Sequence, residues 1–117
     1  MPTATGHTTA IRASRVIGTT VYNTAGDKIG EVEDVILDKT SDAIKFAVVG
    51  FGGFLGVGEK YHAVPWSSLN YEDSQGGYVV PYTKDQLEAA PQDSIHDLTK
   101  DDGTHAQTSA VSYYRTL

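Results

Sequence analysis

The chain contains no cysteine, and that absence removes disulfides, thiolate metal sites, redox motifs and cysteine nucleophiles together. It is also poor in cations. Nine Lys and Arg stand against fifteen Asp and Glu, a formal net charge of −6, and the nine form no run that could track a phosphate backbone. A nucleic-acid partner is therefore not expected. Long apolar runs are missing too: no window approaches the roughly 20 apolar residues of a membrane-spanning helix. The opening "MPTATGHTTA" lacks the basic and apolar regions of a secretory signal. The expectation is a soluble, cytoplasmic chain with no membrane insertion.

What is present reads as one small domain. In 117 residues, short apolar runs alternate with turn signals at close spacing, the appearance of a small antiparallel barrel or sandwich. Residues 1–13 carry no periodic apolar pattern and read as an extended or mobile arm. The first run is "RVIGTTVYN". In the second, "IGEVEDVILD", Val32 alternates with Glu31 and Glu33, but Val35 and Leu37 share the glutamates' parity. A bulge near Asp34 would restore the apolar face, with the Asp34 carboxylate accepting backbone amides there. The third run, "AIKFAVVGF", is apolar on both faces at its distal end. "EKYHAVPW", "SSLNYE" and "GYVVPYT" complete six candidate strands, with Pro65 and Pro81 confined to ends, edges or bulges. Thr83 and Gln86 then predict the capped start of a short helix ended by Pro91. The tail beyond it alternates between acidic loop and the weakly amphipathic "TSAVSYYRTL".

Glycines at 50, 52, 53, 56 and 58 raise the question of a phosphate loop. Gly53 and Gly58 have the spacing of GxxxxGK[ST], but Glu59 stands in the lysine position, Lys60 in the hydroxyl position, and β-rich sequence follows where a helix is needed. The GxGxxG pattern fails at Leu55. A glycine-rich turn between strands explains more of the residues, with Phe54 and Leu55 as an apolar knob at its tip.

The order of residues in "ASRVIGTTVYNTAGDKIGEVEDVILD" and "AVVGFGGFLGVGEKYHAVPWSSL" resembles the PRC-barrel family, which includes the cytoplasmic domain of the photosynthetic reaction centre H subunit and the C-terminal domain of a ribosome maturation factor. The resemblance implies an all-β fold: a small six-stranded antiparallel β-barrel over residues 14–83, followed by an extension over 84–117 with a short helix and an acidic loop. It implies an assembly or interaction role and carries no shared catalytic set, so no enzyme activity and no cofactor are expected.

"HDLTKDDGTH" is the densest set of potential ligands, but an EF-hand loop from Asp97 would need Gly at position 102 and Glu at 108, where Asp102 and Thr108 stand. His96, Asp101 and His105 remain a loose divalent-metal alternative set against a solvated acidic loop. His62 is a ligand candidate at the barrel mouth, set against a hydrogen-bonded structural histidine. No GxSxG elbow occurs. The leading expectation is a non-catalytic interaction module that forms a homo-oligomer through Phe54, Leu55, Tyr113 and Tyr114, with an unidentified protein partner. The competing one is a small-ligand or metal sensor.

Overall fold

The computed structural model describes residues 10–51 and 61–117. Helical turn α1 (Ala13–Val16) leads into strands β1 (Thr20–Tyr22), β2 (Lys28–Asp38), β3 (Ala43–Phe51), β4 (His62–Val64), β5 (Asn70–Glu72) and β6 (Gly77–Val79), and then into helices α2 (Lys84–Glu88), α3 (Ile95–Leu98) and α4 (Thr104–Arg115). Six strands are present among the described residues, as the alternating runs predict. Their arrangement differs from the expected antiparallel barrel. Among the described residues the sheet is mixed and open, in the order β4-β3-β2-β1-β6-β5, with β1 and β6 parallel.

Two local features mark the ends of β4. Pro65 has no N–H, so the β4 ladder ends at Val64, and the chain turns through a 3₁₀ segment at Trp66–Ser68 before β5 begins. At the other end of β4, Tyr61 gives its backbone groups to Asp93 of the C-terminal tail. Among the described residues, β5 pairs with β6 alone.

The expected bulge is present. The β2–β3 register passes from Val32↔Val49 to Asp34↔Val48, leaving Glu33 as the extra residue, and the Asp34 carboxylate accepts the Val35 N–H at 2.8 Å. A second slip, unforeseen, runs from Ile36↔Phe46 to Leu37↔Ile44 and leaves Lys45 extra on β3. It corrects the placing of Leu37 on the core face: Leu37 is 59% exposed. The run "RVIGTTVYN" is likewise only partly strand, because α1 takes its first residues, with the Ile17 N–H donating to the Ala13 carbonyl.

Parallel pairing brings β6 close to β1. A Cβ on Gly77 would lie 2.4 Å from the Thr20 carbonyl oxygen, so only glycine fits there without a backbone shift.

The tail is part of the core. Leu87, Ala90, Leu98, Ala106, Ala110 and Tyr114 are buried in the same cluster as Val21, Val32, Phe46, Val48, Val64 and Tyr78. Each fully buried leucine is worth roughly 1.5–3 kcal/mol, so this layer contributes substantially to stability. It also explains why Phe46, Ala47, Val48 and Val49 are all buried in succession: β3 is covered on both faces. α2 starts with the predicted capping box, Gln86 N–H to Thr83 Oγ1 at 3.1 Å and Thr83 N–H to Gln86 Oε1 at 2.9 Å. α4 is the correction to a single short helix. Its buried stripe, Ala106, Ala110 and Tyr114, has i, i+4, i+8 spacing but is built from small residues and one tyrosine.

Candidate functional site

The bulge at Lys45 lies in the wall of a cavity. Three successive β3 residues, Ile44, Lys45 and Phe46, line one wall; Pro65, Trp66 and Ser67 of the 3₁₀ turn form a second; Gln107, Ala110 and Val111 of α4 form the third. The cavity is an open groove of about 260 Å³. Trp66 is half-buried and packs edge-on against Tyr78, with centroids 6.0 Å apart.

The Lys45 ammonium donates to the Asp102 carbonyl at 2.6 Å. That carbonyl belongs to an unusual turn. Asp101, Asp102 and Gly103 have φ of 44°, 62° and 75°, three consecutive left-handed residues that reverse the chain from α3 into α4. Gly103 cannot be replaced without conflict, since a Cβ there would approach the Phe46 ring at 3.2 Å. β3 thus fixes the start of α4 through Lys45 on the turn's carbonyl and Phe46 beneath its glycine.

The sequence-predicted residues fall elsewhere. His62 lies on β4 opposite Val49 and is 3% exposed. Burial holds its pKa below the usual imidazole value, and a hydrogen bond to the Pro91 backbone partly offsets this. His96 sits in α3, Asp101 in the left-handed turn and His105 in the first turn of α4. Among the described residues, no group of three or more His, Asp or Glu side chains is placed to hold a metal ion.

Tyr113 and Tyr114 are engaged within the chain. Tyr113 donates its hydroxyl proton to the Gln86 carbonyl, and the Tyr114 ring, 7% exposed, lies 4.5 Å from that of Tyr82. Burial pushes the Tyr114 phenol well above its ordinary pKa. Phe54 and Leu55 lie outside the described residues. The groove was missed because its walls come from segments far apart in sequence; the only local signal was the polar Lys45 inside an apolar strand.

Together these features define a small, mostly β module with a helical layer closing one side of its sheet. The PRC-barrel domain model matches residues 8–87, and the chain belongs to the PRC-barrel family. No curated protein matches the chain. The family match ends within α2, so α3 and α4 lie beyond it and the groove joins a family strand to a helix outside the match. Among the described residues, no helix is long and apolar enough to cross a membrane.

Proposed function

We propose that this PRC-barrel protein is a non-catalytic interaction module that associates with a second copy of itself through the outer edge of β5. The observation that carries this reading is the open sheet. The β4 edge is engaged by Asp93, whereas β5 has no strand on its outer side among the described residues. An edge of free N–H and C=O groups is a template for another strand. An edge-to-face row of rings runs outward to it, Trp66 to Tyr78 at 6.0 Å and Tyr78 to Tyr71 at 5.8 Å, and Tyr71 remains half-exposed.

Antiparallel pairing about a two-fold axis at Tyr71 would extend that row and set Asn70 across from Glu72 of the second copy. Three-residue strands bury far less than the ~1,200 Å² of a stable interface, so the association is weak. Sedimentation equilibrium up to about 500 μM tests it. Asn70→Glu opposes two carboxylates and should weaken the dimer, while Asn70→Lys should tighten it at low salt. A monomeric mass throughout, or a dimer indifferent to both changes, rejects the reading.

A further inference from the structure

We propose that the groove between β3, the Trp66–Ser68 turn and α4 is a binding site for a small aromatic monocarboxylate, held by the Lys45 ammonium with its ring against Trp66. The inference goes beyond the interaction role and stands independently of it.

The walls set the chemical class. Ile44, Phe46, Pro65, Trp66, Ala110 and Val111 make the hollow predominantly apolar, and Val111 is 39% exposed at its rim. Into this lining the chain sets three polar side chains, each able to donate a hydrogen bond, of which Lys45 alone is charged. Lys45 has three ammonium protons and gives one to the Asp102 carbonyl; among the described residues no carboxylate lies within ion-pair distance of it. The Ser67 hydroxyl and the Gln107 amide make no side-chain hydrogen bond among the described residues. A cation with no carboxylate partner among the described residues, beside an apolar hollow, is the electrostatic complement of an anion with an apolar body.

Other ligand classes fit less well. A wholly apolar molecule would cover the ammonium without pairing it, at the cost of stripping a charge of water. A cation would face Lys45 directly. A phosphate or diphosphate would bring two or more charges to one ammonium, with no arginine fork in the lining and nothing to use the apolar walls. The volume, about 260 Å³, is just under the usual range for drug-sized ligands and suits one or two rings with a short acid arm.

The chain's one tryptophan is Trp66, so its emission reports directly on this groove. The probe is phenylacetate, with phenylacetamide as its neutral counterpart and phenethylammonium as its cationic one, each titrated into the full chain at pH 7.5 with excitation beyond the probes' absorption. A ligand of this size and a single partly exposed ion pair correspond to millimolar affinity. The expected result is a saturable change with phenylacetate, at least ~5-fold weaker binding of the amide, and none of the cation. Lys45→Met should make acid and amide equivalent. Because that change also removes the Asp102 contact, Val111→Glu serves as a second variant at an exposed helix position, where it places a carboxylate at the rim and should abolish phenylacetate binding while the circular dichroism spectrum is unchanged. No saturable response to about 20 mM phenylacetate, or equal affinity for acid and amide in the unmodified chain, overturns the proposal.

Discussion

Tyr61 and Asp93 exchange both backbone hydrogen bonds, Tyr61 N–H to the Asp93 carbonyl at 2.8 Å and Asp93 N–H to the Tyr61 carbonyl at 2.9 Å. The tail thereby takes the edge that a closed barrel would give to another strand. Asp93→Pro removes one of the two donors, and the expected loss is about 2–3 kcal/mol in urea denaturation. Asp93→Ala keeps the backbone pair and should cost under ~1 kcal/mol. Equal losses would place the contribution in the side chain.

Gly76 and Gly77 separate strain from collision. Gly76 has φ +70° with open space around its Cβ direction, so Gly76→Ala should cost about 1 kcal/mol. Gly77→Ala drives a methyl onto the Thr20 carbonyl and the Tyr22 ring, and should cost about 3 kcal/mol or more by forcing β6 away from β1. Thermal melts of the two variants check the order.

Burial of His62 makes stability depend on pH. Its folded pKa lies below the unfolded value of 6.5, so the unfolded chain binds the proton more readily. The stabilisation tied to the neutral ring is complete above pH 6.5 and is lost as pH falls from there through the folded pKa. The melting temperature should fall between pH 7.5 and 5, and His62→Gln should flatten that slope.

Two tyrosines with adjacent rings should respond oppositely to loss of a hydroxyl. The Tyr114 hydroxyl is buried without a hydrogen-bond partner among the described residues, so Tyr114→Phe should be neutral or stabilising by up to about 1 kcal/mol. The Tyr82 hydroxyl is hydrogen-bonded to Ser68 Oγ at 2.7 Å, and Tyr82→Phe should cost about 1 kcal/mol. Paired denaturation curves decide it.

Much of the sheet was legible because its signals are local. Alternation marked the six strands, the parity conflict between Val32 and Val35 marked the bulge, and Thr83 with Gln86 marked the start of α2. What could not be read depends on partners distant in the chain. Nothing near β6 announces that it lies parallel to β1; only the bare Gly77 hints at a close approach. Nothing near Lys45 in the sequence announces the second slip or its contact with Asp102, 57 positions away. α4 was hidden because alanine contributes little to an apolar stripe, although its spacing was present. Tyr113 and Tyr114, expected at an interface, meet Gln86 and Tyr82 of the same chain, segments about 30 positions away.

The contact between Lys45 and Asp102 has a thermodynamic corollary. A hollow whose walls belong to the sheet and to the last helix exists only while that helix is docked, so filling it and fastening the tail are reciprocal. Any occupant must slow amide exchange in α4, and any modification that frees the tail must expel the occupant, which makes the C-terminus a lever on events at the third strand.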